Sequence, residues 1–331
     1  MTHNTPAWAT RLAVALAFTV VVLGAYVRLS QAGLGCPDWP GCYGKMIVPD
    51  QSDPVVEAEH QRPLEHGKAW KEMLHRYAAG MLGLMIAGLA VISWQNRKQP
   101  GQGLLLPGLL VLLVVFQAAL GMWTVTLLLK PVIVVAHLLG GMTILSLLFW
   151  MLLERDGTVR PCSPALFPWA VAALVMLAIQ VALGGWTSAN YAALACPEFP
   201  ACQGQWWPSM DFTAGFTLWH RPGMDYEGGI LAGNARTAIH MTHRLGALLS
   251  ILIIGATALR ALRENNPTLR GPGFLLLAVL LVQLLLGISN VLLRLPLPVA
   301  VAHNAVAALL LLTLVALLHR TISPAALRRS S

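Results

Sequence analysis

Eight apolar blocks, each long enough to cross a bilayer, constrain this chain more than any motif in it. They are Leu12–Leu29, Met73–Ser93, Leu104–Leu127, Val132–Leu153, Ala165–Trp186, Ala238–Leu259, Gly273–Leu293 and Leu297–Leu318. Each approaches the ~20 residues that a helix needs to span the hydrocarbon core. In that medium backbone N–H and C=O groups must be paired internally, so such blocks become helices. The competing explanation, core helices of a large soluble protein, fails on composition. Hydrophobic residues make up 56% of the chain and charged residues 11%, against roughly a quarter charged in soluble domains. Too little polar surface remains to cover eight such helices. The expected fold is therefore an all-α membrane protein with eight transmembrane helices.

Charge placement gives an orientation. The net charge of +8 invites a nucleic-acid role, but its distribution argues against one. Positive residues gather at Arg11, at Arg97 and Lys98, at Arg155 and Arg160, at Arg260, Arg263 and Arg270, and at Arg320, Arg328 and Arg329. The short connections on the other side hold little more than Lys130 and Arg294. This is the positive-inside bias of a multispan protein. It puts both termini in the cytoplasm and turns two long loops, about 30–71 and 188–236, outward. The first block lacks a small-residue cleavage site and reads as a retained span. A bacterial inner membrane is the simplest location; a processed organelle protein is the alternative. Four of the five cysteines, Cys36, Cys42, Cys196 and Cys202, fall in the outward loops, on the side where disulfides persist. Cys162 falls inward and reads as an inert thiol.

The chain also repeats itself. LGCPDWPGCYG (34–44) matches LACPEFPACQG (194–204), and EMLHRYAAG (72–80) matches HMTHRLGAL (240–248). QAALG (117–121) matches QLLLG (283–287), and VVAHLLGG (134–141) matches AVAHNAVA (300–307), with the offset held between 160 and 168 throughout. Four landmarks in one order imply a duplicated unit. Four spans per half make the repeats parallel, so two pseudo-twofold-related four-helix bundles are expected, their axis along the membrane normal. We divide them as 1–160 and 161–331. Small residues on the His-bearing spans (Gly80, Gly83, Gly88, Gly140 and Gly141) suit close helix approach or leave space for a flat ligand.

Each half carries a histidine pair, His75 with His137 and His243 with His303, about sixty residues apart. All four lie near the outer ends of even-numbered spans, and the two of a pair share a depth. Two imidazoles at one depth on facing helices can ligate one haem iron from both sides. A lone intramembrane histidine is as easily a satisfied core residue; four in duplicate register point to function. Zinc fits poorly, since it takes four donors and no consistent third ligand accompanies the pairs. Where the first half has Glu72 three residues before its histidine, the second has His240. Spacing of three puts both on one face, so Glu72 is expected to point towards whatever His75 binds. A carboxylate there can move a proton or stabilise developing positive charge; a charged residue at a water-facing span mouth is the plainer explanation. The asymmetry points to a reactive first half and an electron-handling second half. Arg76 and Arg244 are candidate propionate partners, or interfacial anchors.

Each cysteine pair brackets five residues with two prolines, a loop short enough to close into a disulfide. Attachment of a c-type haem would need C-x-x-C-H, which is absent. Structural stapling comes first for Cys36–Cys42 and Cys196–Cys202; a redox role for Cys36–Cys42 comes second. His60 and His66 read as part of a solvated charged stretch, and the aromatic run from Trp206 to Trp219 as an interfacial helix or a lid.

This set of features resembles the haem A synthase family over essentially the whole chain. It comprises eight spans in two halves, E-x-x-H-R in the second span, H-x-x-H-R in the sixth, single histidines in the fourth and eighth, and an outward C-x5-C pair before the second. The resemblance implies an enzyme that oxidises the C8 methyl of haem O to a formyl group, by two hydroxylations and loss of water, giving haem A for cytochrome oxidase. It implies haem b on His243 and His303, haem O received near His75 and His137, an essential Glu72, and the family's cysteine pair at Cys36 and Cys42. A pair such as Cys196 and Cys202 occurs in part of the family. Beyond haem O and membrane lipid, a haem O-forming prenyltransferase and cytochrome oxidase assembly factors are candidate partners; oligomeric state is open. Two other readings compete: a di-haem cytochrome b-type electron carrier, and a haem-binding assembly factor without catalysis. The first leaves unexplained why all four histidines lie on the outer side.

Overall fold

The computed structural model describes residues 7–50, 62–99, 103–155, 162–221 and 223–322. Eight of its helices are long and apolar enough to cross a membrane: α1 (Ala7–Leu29), α2 (His66–Gln95), α3 (Leu105–Thr126), α4 (Pro131–Arg155), α5 (Phe167–Ala189), α6 (Gly233–Arg263), α7 (Pro267–Leu292) and α8 (Leu297–Thr321). Among the described residues there are no strands, only two isolated β-bridges. The all-α, eight-span expectation holds. The division between 160 and 161, His3, His60, Arg160, Arg328 and Arg329 lie outside the described residues.

Helices α2 and α6 start before their apolar blocks, at His66 and Gly233 rather than at Met73 and Ala238. His66 is therefore the first residue of a helix, not part of a loop, and its ring accepts from Trp70 Nε1 at 3.3 Å. Polar first turns continue the helix because the long loops before them pack on them, Gly35 against Lys68 and Ala69, and Asp211 on Asn234. Helix α7 opens on an Asn266 cap, whose side chain accepts from Thr268 N–H, followed by Pro267, favoured at a first helical position. Pro272 lies further in and lacks the N–H that would reach the Thr268 carbonyl; Arg320 of α8 donates to that carbonyl instead, at 2.8 Å.

The repeat is visible in the backbone. Helices α1 and α5 are each followed, two residues on, by a left-handed residue, Gln31 (φ 54°) and Tyr191 (φ 53°). The next amide reaches back five residues, Ala32 to Val27 and Ala192 to Thr187, each at 2.9 Å. The α3–α4 and α7–α8 turns place Leu128–Leu129 and Arg294–Leu295 at positive φ. They close with Leu129 N–H on Thr124 O (2.8 Å) and Leu295 N–H on Asn290 O (2.7 Å). All four use the Schellman-type bond that satisfies otherwise orphaned carbonyls at a helix end.

Packing follows the repeat. In the first half α1 packs on α2 and α4, and α3 packs on the same two. In the second, α5 packs on α6 and α8, and α7 likewise. Each half is thus a ring of four, with α2 and α4 at opposite corners of one and α6 and α8 at opposite corners of the other. This adjacency fits two four-helix bundles. Between them α1 meets α8, α5 meets α4, and α4 meets α8, the pairing that a twofold between the halves would produce. Arg28 on α1 also reaches across, donating to Ser188 O at 2.6 Å and to Tyr191 OH at 3.1 Å.

One continuous core joins all eight helices. It includes Leu82, Ile86 and Leu89 of α2, with Leu145 and Leu148 of α4, Ile254 and Ala258 of α6, and Leu310 and Leu314 of α8. All lie on the side of the histidines away from the cysteine loops. Lipid tails are as apolar as leucine, so this packing is held by close contact rather than by the hydrophobic effect. The expected close approach at the small residues is partial. Gly83 faces Val114, whereas a side chain at Gly80 or Gly88 would meet nothing within 4 Å.

Candidate functional site

Both cysteine pairs form disulfides, Cys36–Cys42 and Cys196–Cys202. Each closes a small hairpin whose second cysteine pairs with the residue three on, Lys45 or Gln205. A two-residue turn with both φ values positive makes this possible: Tyr43–Gly44 at 53° and 73°, Gln203–Gly204 at 54° and 73°, the geometry of a type I′ hairpin. The acidic residue of the repeated motif fastens the turn. Asp38 accepts from Tyr43 N–H (2.6 Å) and Gly44 N–H (2.8 Å), and Glu198 accepts from Gly204 N–H (3.0 Å).

The arginines after the histidines hold these hairpins. Arg76 donates to the carbonyls of Asp38, Pro40 and Gly41, and Arg244 to those of Cys196, Glu198, Pro200 and Ala201. Both guanidinia are engaged by these loop carbonyls. Apart from the repeat, the sequence carries no signal for this loop-clamping role.

Glu72 and His240 occupy one position in the two halves and make one kind of contact with different chemistry. Glu72 is buried; its Oε2 accepts from Cys36 N–H at 3.0 Å and its Oε1 pairs with Arg76 at 2.5 Å. His240, also buried, accepts from Cys196 N–H through Nδ1 at 3.2 Å, while its Nε2, which then carries the ring proton, lies 3.3 Å from Arg244 Nε. The carboxylate thus joins α2 to the disulfide loop as well as lying one turn before His75. The first loop sits closer to its helix: a Cβ at Gly35 would fall 2.6–2.8 Å from the main chain of Lys68 and Ala69, whereas the second loop has Ala195 there.

The four histidines lie two to each half, on the second and fourth helix of that half. His137 lies within electrostatic range of His75, and His243 within that of His303. Each ring rests on a glycine of the preceding helix. A methyl added at Gly24, Gly121, Gly184 or Gly287 would stand 3.0, 3.3, 3.2 or 3.2 Å from Cε1 of His75, His137, His243 or His303. These glycines recur at the repeat offset, which is the signal that could have found them in the sequence.

Glutamines four residues before three of those glycines touch the histidines. Gln180 Nε2 donates to the His243 carbonyl at 3.0 Å and lies 3.1 Å from its Nδ1. Gln117 donates to the His137 carbonyl. Gln283 Nε2 lies 3.3 Å from His303 Nε2. At the fourth position stands Val20, whose main chain borders the His75 ring.

These residues fit a haem in each bundle. The two imidazoles of a half come from helices at opposite corners of its ring, and imidazole is a donor that would suit haem iron. The ring nitrogens Nδ1 of His75, His137 and His303 are buried without a hydrogen-bond partner, and the tight core begins only below the histidines. Among the described residues no group of three or more His, Cys, Asp or Glu side chains could hold a bare metal ion.

The long loop between α5 and α6 departs from expectation in one respect. The aromatic run is not an interfacial helix: of its residues only Phe212–Gly215 are helical. Trp206, Trp207 and Trp219 are exposed, and Phe216 stacks on Trp186. The same loop instead reaches over the first half. Tyr226 is buried against Leu34, Val125 and Leu129, and its N–H donates to Leu128 O at 3.1 Å. Arg62 pairs there with Asp225 and Glu227.

A sequence model of the COX15-CtaA family, described as cytochrome oxidase assembly protein, matches residues 7–315. A haem A synthase of Shewanella oneidensis is 42% identical over 315 residues, covering 93% of this chain and 94% of its own. Haem A synthases of Rhizorhabdus wittichii and Halalkalibacterium halodurans are 28% and 26% identical, covering 92% and 89% of this chain and 90% of each relative.

Proposed function

The chain belongs to the COX15-CtaA family of cytochrome oxidase assembly proteins, and we propose that it works there as a haem A synthase. It is a multi-pass membrane enzyme that converts haem O to haem A by oxidising a methyl group. In our reading residues 1–160 form the half that receives haem O, between His75 and His137. Residues 161–331 form the half that holds haem b, between His243 and His303. The observation that carries this division is the exchange of Glu72 for His240 at one loop-anchoring position, beside otherwise matching histidine pairs.

Haem b, when bound, supplies one-electron transfer. The chain's own residues do the rest. His75 and His137 orient haem O so that one edge lies towards the Cys36–Cys42 loop. Glu72 offers the carboxylate nearest that edge. It is held by Arg76 and Cys36 N–H, so it needs little reorganisation to stabilise positive charge on the reacting carbon or to take a proton. Two hydroxylations, each taking its oxygen from water and giving up two electrons and two protons, convert the methyl to a geminal diol, which loses water to leave the formyl group; the electrons pass to an external one-electron acceptor. Arg76 and Arg244 hold the loops and would meet a propionate only by releasing a carbonyl. The disulfides staple the loops; a redox part for Cys36–Cys42 is the second choice. We place the protein in a bacterial inner membrane with both termini cytoplasmic and the cysteine loops periplasmic. Docking of a haem O-forming prenyltransferase would keep an insoluble haem out of solution.

Pigment extraction tests the reading. Membranes of cells that make haem O should contain haem A only when this chain is expressed. Haem B alone, reversibly reduced, would instead identify an electron carrier.

A further inference from the structure

Arg244, next to His243, is taken up by the carbonyls of its loop. Two other arginines near the second bundle are not neutralised. Arg236, in the first turn of α6, makes no side-chain hydrogen bond or ion pair among the described residues, and its Nε is buried without a partner. It lines a cavity of about 290 Å³ together with Tyr191, Leu194, Ala195, Gln203 and Gly233. Arg28 reaches the same tyrosine from α1. It donates to the Tyr191 hydroxyl at 3.1 Å, its guanidinium carbon lies 4.4 Å from the ring centroid, and its Nε is likewise buried without a partner. Neither arginine has an acidic partner among the described residues. A guanidinium withdrawn from water is costly unless an anion faces it.

The first half closes the same place. Lys68 stands where Arg236 does and pairs with Glu65 at 2.7 Å, whereas the counterpart of Glu65 is Gly233. Buried Tyr43 takes the place of Gln203, and the loop at Gly35 lies against Lys68 and Ala69 where the second half has Ala195. The second half thus lacks the acid, keeps the cation and opens a space beside it.

That space stands in line with a candidate haem ligand. Arg236 precedes His243 by seven residues, which puts both on one face of α6, ~10 Å apart along its axis. Tyr191 follows Gly184, on which the His243 ring rests, by the same seven residues. A span of that order separates haem iron from its propionate carboxylates. A guanidinium meets a carboxylate through a fork of two N–H donors. Tyr191, whose oxygen accepts from Arg28, keeps its own proton for donation.

We propose that Arg236 is the propionate partner of the haem held by His243 and His303, with the carboxylate seated in this cavity. Lys68 of the first half, already paired, offers no such anchor. The proposal rests on the assignment of haem b to the second half and gives that haem a reason to stay.

The test uses the full chain in detergent, loaded with haem b or with its dimethyl ester, and follows transfer of the retained haem to apomyoglobin. Arg236→Met should release haem b about tenfold faster or more, the loss of one charge-assisted hydrogen bond, and Arg236→Lys should recover part of the retention. With the ester, which has no carboxylate, Arg236→Met and wild type should release alike. Wild type should also lose the ester faster than haem b, a comparison that stands even if Arg236→Met does not fold. Equal release of haem b by Arg236→Met and wild type overturns the proposal. So does an effect of Arg236→Met that persists with the ester, or an ester that wild type holds as well as haem b. Phosphorus analysis separates the other source of an oxyanion: if Arg236→Met loses bound phospholipid and keeps its haem, the cavity holds a headgroup phosphate and the proposal fails. His243→Ala separates the two levels. If it leaves the retained haem in place, the assignment of haem to the second half falls. If it removes that haem while Arg236→Met behaves as wild type, only the role of Arg236 falls.

Discussion

Cys36 donates its amide to a carboxylate and Cys196 donates its amide to an imidazole. Around that exchange the two cysteine loops share a disulfide, a hairpin turn, an acidic residue on the turn amides and an arginine on the loop carbonyls. Loop architecture alone therefore does not require a carboxylate, because a neutral acceptor serves as well in the second half. What Glu72 adds is a carboxylate, within a turn of the histidine proposed to hold haem O, in a low-dielectric setting where charge acts strongly. A duplicated scaffold that keeps its fastenings and changes one charge is what specialisation of one half looks like.

The largest expected effect tests that charge. Glu72→Gln preserves size and one acceptor but not the charge. It should reduce haem A formation by about a hundredfold or more, in the range of a lost acid–base group, with second-bundle haem intact in the absorption spectrum. His240→Gln should leave haem A formation within severalfold of wild type. Equal losses in both would break the comparison and reduce Glu72 to a loop fastener. The next effect concerns haem content. His243→Ala or His303→Ala should remove the haem that purifies with the chain, whereas His75→Ala or His137→Ala should keep it and lose haem A formation. Haemochrome assay per mole of protein decides between these outcomes.

Much of this was legible in the sequence, and the rest was hidden for physical reasons. Eight spans, the repeat and the histidine pairs follow from apolar length and register, which the bilayer enforces. Neighbour relations among helices did not follow, because helices apolar on all sides carry no stripe that marks an inward face. Nor did the direction of Glu72. Spacing of three put it on the face of His75, but a side chain that can reach a loop amide and an arginine takes that option, and loop position is not encoded in helix periodicity. The arginines followed the same rule, each turning to a cluster of carbonyls. The extra turns of α2 and α6 were hidden because polar residues there are stabilised by packing of the loops. The glycines under the histidines and the glutamines beside them were in plain register with the repeat.

Removing the disulfides separates staple from chemistry. The two rings are of equal size, with a sequence separation of 6 in each, and loop closure of this size contributes about 2 kcal/mol. Cys36→Ser/Cys42→Ser and Cys196→Ser/Cys202→Ser should therefore lower thermal stability alike. If stapling is the whole function, haem A formation at low temperature should fall only modestly in both. A much larger loss confined to the first pair would point to chemistry at Cys36–Cys42 and sharpen the contrast between the halves.

The smallest effect lies at the hairpin turns, where Tyr43 and Gln203 take the same left-handed position. Gln203 donates to Ala195 O and to Thr237 Oγ1, each at 3.1 Å; Tyr43, buried, donates its hydroxyl to Arg62 O at 3.2 Å. Burial and, next, the charge of Asp38 raise the Tyr43 hydroxyl above its ordinary value of 10.0. The unfolded chain then ionises first as pH rises. The stabilisation is complete below about pH 10 and declines above it, until the folded-state value is passed. Tyr43→Phe should cost about 1 kcal/mol at neutral pH, the net worth of one hydrogen bond, and should flatten the alkaline decline. Thermal unfolding in detergent from about pH 8 to about pH 11 measures both. Gln203 cannot ionise, so Gln203→Ala should leave the slope of the alkaline decline unchanged. Parallel curves for wild type and Tyr43→Phe would mean that the first hairpin opens before Tyr43 titrates, and that the two turns are equally weak points of their loops.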